Sequence, residues 1–251
     1  MDLFDGDPMA EPLTYPGRIP EGSGVLDGDA YVPLRPHGRP ETWRAGEGTL
    51  SGLLAARGCA PLHARHRVIA VGSNAAPSQV RRKFLNHGVR PVVPMTVADV
   101  PGIAPGVSAH VSKWGYVPAA PVPAPGETAR LFVLWLDEQQ LAALDRTEPN
   151  YVRRPLAHSV TLEGGTRLPP PFVYEGRHGC LRDSDGDGRP RRLTAQRTLI
   201  GSLLDGSAAL RRLCGDTPEK FVANVRHDAV RAAAYKILQS HFRAEQDDIS
   251  E

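Results

Sequence analysis

The chain has 251 residues, enough for one large domain, or one domain with extensions, built around a real core. Hydrophobic residues make up 41% and charged residues 23%, ordinary values for a soluble globular protein. The net charge of +2 argues against an obligatory nucleic-acid or membrane-surface role, and the short basic runs Arg81-Arg82-Lys83 and Arg189-Pro190-Arg191-Arg192 read as solvated faces. Three scattered cysteines, Cys59, Cys180 and Cys214, lack any CxxC or Cys/His grouping and read as reduced thiols of a cytoplasmic protein. The acidic start Met1-Asp2-Leu3-Phe4-Asp5 has no apolar stretch behind it and does not resemble a secretory leader. The longest apolar run, Leu131 to Leu136, is far too short to cross a bilayer.

Residues 1–24 are rich in Pro, Gly and acid, lack periodicity, and read as a flexible arm. Residues 25–66 read as an N-terminal extension without chemistry. They hold a hairpin around Asp27-Gly28, expected as a type I′ turn, with Pro33 keeping the second strand at a sheet edge. A short helix follows over Thr49 to Gly58, with Thr49 as its N-cap. The main domain is expected over 67–205. It opens on the buried strand Val68-Ile69-Ala70-Val71, which breaks into Gly72-Ser73-Asn74, and Pro77 then starts a helix. A strand over Val92–Val100, a loop over Pro101–Gly106 and an alternating strand over Val107–Pro118 are expected next. A Pro-rich loop, Pro118 to Gly126, precedes the strand Ala129–Leu136.

Asp137 reads as the N-cap of a helix with Gln140 at the capping-box position, so that each satisfies an amide of the other. The helix should stop near Glu148, because Pro149 disfavours helical geometry for the residue before it. Strands follow from Tyr151 to Arg154 and Ala157 to Leu162, then a Glu163–Thr166 turn and a strand at Phe172–Tyr174. Residues 206–251 read as a helical C-terminal extension with a frayed end. It follows a helix over Thr194–Leu204 and contains a short one over Ala208–Leu213. A long helix from Pro218 to about Phe242 should bury Phe221, Val222, Val225, Ala229, Ala232, Ala233 and Ile237. Asp183-Ser184-Asp185-Gly186-Asp187-Gly188 matches half of a calcium loop. Thr194 stands where the bidentate glutamate belongs, so an acidic hairpin turn is the better reading.

Gly-Ser-Asn alone is a common loop tripeptide. Here it is followed in order by Trp114-Gly115-Tyr116, by Leu144-Asp145-Arg146-Thr147-Glu148 and by Tyr151-Val152-Arg153. The series resembles the γ-glutamylcyclotransferase-like family over about residues 67–205. The resemblance implies an α+β fold, a mixed β-barrel flanked by helices with the site at its mouth. It implies a glutamyl-binding turn at Val71, Gly72, Ser73 and Asn74, a proton-moving glutamate at Glu148, and Tyr151 beside them. Val71 stands where the family has a tyrosine, which bears on the substrate more than on the fold.

The chemistry implied needs few parts. The α-amine of a γ-glutamyl amide attacks its own γ-carbonyl, closes the 5-oxoproline ring and releases an amine. One carboxylate can take the first proton and return the second, provided burial brings its pKa toward neutrality. Fixed donors must meet the oxyanion. Attack within one molecule needs no nucleophilic Ser or Cys, metal or cofactor. The expected partner is thus a small γ-glutamyl amide or peptide, free or carrier-bound, with neither nucleic acid nor membrane involved. Two other readings fit the same residues: related amide chemistry on a carrier-bound natural-product intermediate, and a non-catalytic ligand-binding member of the fold. An alternative reading makes Glu148 a partner for Arg146, Arg153 or Arg154, and His110 is a pocket candidate from its place on the expected strand.

Overall fold

The computed structural model describes residues 3–183, 188–241 and 243–244. The fold is α+β, as expected, with a mixed sheet and flanking helices. Strands β1 (Gly24–Asp27) and β2 (Ala30–Arg35) form the first hairpin, and β3 (Arg44–Ala45) and β4 (Gly48–Thr49) continue the sheet outward. Gly28 has φ +67° while no non-glycine residue has positive φ, so the turn is of the II′ kind and not the expected I′. Pro33 is tolerated because β3 pairs only with Leu34 and Arg35, beyond the proline. Thr49 caps α1 (Leu50–Ala56) as expected, accepting from Gly52 N–H at 3.2 Å.

The sheet centres on β5 (His66–Ala70) and on a long hairpin of β6 (Val92–Val107) and β7 (Ala119–Leu136). Helix α2 (Pro77–Leu85) follows β5, and α3 (Glu138–Thr147) follows β7. The remaining strands are β8 (Tyr151–Pro155), β9 (Val160–Leu162), β10 (Arg167–Leu168) and β11 (Phe172–Gly176). The order is β4-β3-β2-β1-β6-β7-β5-β11-β8, with β9 joined to β6 and β10 to β9. Among these strands only β5 and β11 pair in parallel, Val68 beside Phe172 and Ile69 beside Val173. The sheet packs an aromatic-aliphatic core around Trp43 and Trp135 and a second around Phe84, Met95 and Leu144.

The β6–β7 hairpin departs from the sequence reading. Pro101–Gly106 is strand, not loop, and so is most of the Pro-rich stretch from Ala119 to Gly126. Beyond Val107 the expected strand is instead a turn-rich connection running to Pro118. In this half of the hairpin the two strands pair mainly with each other, since β1 and β9 pair only with Val92–Asp99 and β5 only with Phe132–Leu136, and the one further bridge joins Gly106 to Arg192 among the described residues. A proline nitrogen can face the open side there without costing a ladder bond.

The C-terminal helices are α4 (Gln196–Gly206), α5 (Ala208–Cys214), α6 (Pro218–Val225) and α7 (Asp228–His241). The expected single long helix is broken at Arg226 and His227. The break changes the buried face of α7: Ala229 and Ala232 are exposed, and Ala234 and Leu238 are buried. The two-residue strands β12 (Cys180–Leu181) and β13 (Arg243–Ala244) pair with each other. The calcium-like segment falls largely on residues 184–187, outside the described residues, as do Phe242 and the acidic end. Among the described residues no helix is long and apolar enough to cross a membrane.

The segment read as a flexible arm is packed instead. Tyr15 is buried, and a short 3-10 turn at Pro12–Thr14 packs against α4 and α6. Its Pro/Gly content excludes regular structure, but Leu13, Pro12 and Tyr15 give it apolar groups to bury.

Candidate active site

The chain from Ala70 leaves β5, makes a 3-10 turn over Ser73–Ala75 and enters α2 at Pro77, the N1 position where its missing N–H is no loss. Gly72 is required by close approach. A Cβ there would lie 2.6 Å from the Tyr15 Oη and 2.8 Å from the Ala119 Cβ. On the facing side, the Asp137–Gln140 capping box is present as expected, and α3 ends with Glu148 as its C-cap. Leu141 and Leu144 bury the inner face of α3, which fixes where Glu148 leaves it.

The two pieces meet. Asn74 Nδ2 donates to Glu148 Oε1 at 3.0 Å, and Lys83 Nζ reaches the same oxygen at 2.5 Å while also donating to Asn74 Oδ1 at 2.7 Å. The Lys83 and Glu148 side chains are each 11% exposed. Glu148 Oε2 takes no hydrogen bond from the described residues. Two of the three arginines considered as partners are engaged elsewhere, Arg153 with Asp145 and Arg154 with Glu175, and no ion pair joins Arg146 to Glu148 among the described residues. The Arg81-Arg82-Lys83 run is therefore not simply a solvated face, because α2 turns Lys83 inward toward Glu148.

Glu148 lines two cavities. A small one of about 40 Å³ is lined by all six residues singled out in the sequence: Val71, Gly72, Ser73, Asn74, Glu148 and Tyr151. A larger one of about 250 Å³ has Arg82, Lys83, Lys113 and Trp114 in its wall, and Glu148 is the one carboxylate among the described residues that line it. Tyr15 lines both.

Tyrosines surround the carboxylate. The Ala119 peptide holds two of them: its N–H donates to Tyr15 Oη at 2.9 Å, and its C=O accepts from Tyr151 Oη at 2.7 Å. Tyr15 stacks on Tyr116 with ring centroids 4.3 Å apart. Tyr174 donates to Asp145 at 2.7 Å. Burial, helped by the nearby Glu148 charge, pushes the Tyr116 phenol up to about 12, and burial also raises Tyr15, Tyr151 and Tyr174 well above the usual phenol value. All four phenols are neutral donors at ordinary pH.

His110 is not on a strand but is buried in the wall of the larger cavity, 2.7 Å from Ser108 Oγ through Nδ1. Burial, with the neighbouring His178 imidazole 4.4 Å away, pushes its pKa down to about 3. Sequence reasoning missed Tyr15, Lys83 and the inward place of Tyr116. The one signal for Tyr15 was an aromatic in a segment otherwise lacking apolar pattern. Among the described residues no group of His, Cys, Asp and Glu is placed to hold a metal ion.

No family model and no curated protein matches this chain. Solved structures similar to it include one titled gamma-glutamyl cyclotransferase, 14% identical, with a TM-score of 0.38, covering 68% of this chain and 98% of that one. An uncharacterized Homo sapiens protein is 15% identical with a TM-score of 0.35, covering 70% and 99%. An AIG2-like protein from Mus musculus is 19% identical with a TM-score of 0.34, covering 53% and 97%. Likenesses this distant do not reach to activity, and the functional reading rests on the chain's own site.

Proposed function

We propose that this protein is a γ-glutamyl cyclotransferase, converting a γ-glutamyl amide to 5-oxoproline and a free amine, with Glu148 as the general acid and base. The observation that carries this reading is the Asn74–Glu148 hydrogen bond, which puts the carboxylate against the Gly72-Ser73-Asn74 turn at the edge of an open cavity. Lys83 and Asn74 both hold Oε1 and leave Oε2 for the substrate's α-amine. Two further basic side chains, Arg82 and Lys113, line the larger cavity together with the Lys83–Glu148 pair, which suits a ligand carrying an α-carboxylate.

The steps follow from this placement. Oε2 takes a proton from the α-amine, whose nitrogen attacks the γ-carbon. The carbonyl electron pair moves onto oxygen and then returns as the C–N amide bond breaks. Oε2 gives its proton to the departing nitrogen, and Glu148 ends unchanged. The aromatic side chains beside Glu148 lower the local dielectric and so strengthen each polar contact there.

The test is turnover of a panel of γ-glutamyl amines, γ-glutamyl dipeptides, glutathione and a γ-glutamylated carrier protein, with 5-oxoproline read by mass spectrometry. Glu148→Gln should lower turnover by about 10²–10⁴-fold, the range for a positioned acid–base group, with the fold retained. Equal turnover by Glu148→Gln would remove this mechanism.

A further inference from the structure

The N-terminal segment contributes one side chain that the reaction can use. Tyr15 is 5% exposed, lines both cavities beside Glu148, and is held from behind by the Ala119 N–H, 104 residues away in the chain. That N–H contact works against the larger effect of burial, which raises the phenol pKa and keeps the hydroxyl neutral. Its own O–H has no acceptor among the described residues. The ring is fixed by stacking on Tyr116, and Gly72 lacks the Cβ that would collide with the hydroxyl. Val71, the turn position without a hydroxyl, lines the same small cavity.

Resting on the cyclotransferase reading, we propose that Tyr15 is a catalytic residue of this site, its hydroxyl donating the hydrogen bond that stabilises the oxyanion formed from the substrate's γ-carbonyl. The backbone N–H of Ala119 is already occupied by the phenol, so it acts through Tyr15 and not on the substrate itself. No proton is transferred from Tyr15: the O–H shares its hydrogen as charge develops on the carbonyl oxygen and withdraws as the amide bond breaks. A neutral, fixed donor in a water-poor site does this without reorganising.

Wild type, Tyr15→Phe and Glu148→Gln are assayed together on γ-glutamyl amines, with 5-oxoproline binding to each followed by calorimetry. Tyr15→Phe keeps the stacking ring and should lower kcat by about 10²–10³-fold, as loss of one oxyanion donor does, with KM changed little. A wild type that turns over beside an equally fast Tyr15→Phe overturns the assignment of Tyr15 and leaves the proposed function standing. A wild type without turnover overturns the proposed function and, with it, the catalytic role of Tyr15; calorimetry then reads whether the hydroxyl still contacts a ligand. Should Tyr15→Phe fold poorly, 3,5-difluorotyrosine placed at position 15 keeps the hydroxyl and makes it more acidic. The basic limb of its kcat/KM profile should move to lower pH, and an unmoved limb counts against the proposal.

Discussion

Lys83 and Glu148 illustrate how one contact serves two ends. Two largely buried charges 2.5 Å apart attract strongly, yet each has lost most of its hydration, so the net gain is small. Removing one partner is a different matter, because the other charge stays buried and unpaired. Lys83→Met should therefore cost about 3 kcal/mol, the lower end of the range for breaking a buried pair since both groups keep some exposure. Chemical denaturation measures that cost. On the proposed function, turnover should fall too, because Oε1 loses its tether; a variant as stable and active as wild type would show the pair to be incidental. His110 makes a separate prediction. Its pKa of about 3 in the fold lies below the 6.5 of the unfolded chain, so the unfolded state binds the proton first as pH falls. The stability from keeping His110 neutral is complete above pH 6.5 and is lost between there and about pH 3, reaching a loss of about 2 kcal/mol by pH 5. His110→Gln should flatten the stability profile over this window, and a slope identical to wild type would reject the assignment.

At the scale of elements, the turn after β5 is defined by what it must avoid. Gly72 has φ −123°, outside the left-handed region, and a methyl group there meets Tyr15 and Ala119 at 2.6 and 2.8 Å. Gly72→Ala should shift Tyr15 off its Ala119 hydrogen bond, costing about 1–3 kcal/mol as overpacking does, and should impair turnover on the same substrates. Full stability by thermal melting would mean that the segment yields easily. Elements set by local rules were legible in the sequence: Thr49 capping α1, the Asp137–Gln140 box opening α3, Pro77 at the start of α2. Those decided by neighbours were not. Pro101, Pro105, Pro121 and Pro123 read as loop because proline usually breaks a ladder, but whether a strand's second edge is paired is a tertiary fact. The break between α6 and α7 was hidden for a related reason. Alanine fits either a buried or an exposed helix face, so Ala229 and Ala232 could not show which way α7 turns.

Across the whole molecule, the site joins four distant parts of the chain: the N-terminal segment, the turn entering α2, the start of β7 and the end of α3. The sequence made the second and fourth legible because each carries a local motif. Tyr15 and Ala119 carry none, and their meeting depends on the fold bringing together residues 104 apart. The N-terminal segment also links the two halves of the structure. Leu13 packs into the core of the C-terminal helices, Arg226 after α6 donates to the Ala10 carbonyl at 3.2 Å, and Tyr15 reaches across to the sheet. Deleting residues 1–22 should therefore act at both ends of this bridge. Loss of the buried Tyr15 ring alone removes about 2–3 kcal/mol of apolar burial, and the exposed faces of α4 and α6 add to it. Calorimetry should show a lowered melting temperature, and on the proposed function the same protein, at a temperature where it remains folded, should bind and turn over γ-glutamyl amides poorly, because Tyr15, which lines both cavities, is gone. A truncated chain that melts and reacts like wild type would make the segment an appendage, as its composition alone suggests, instead of part of the site.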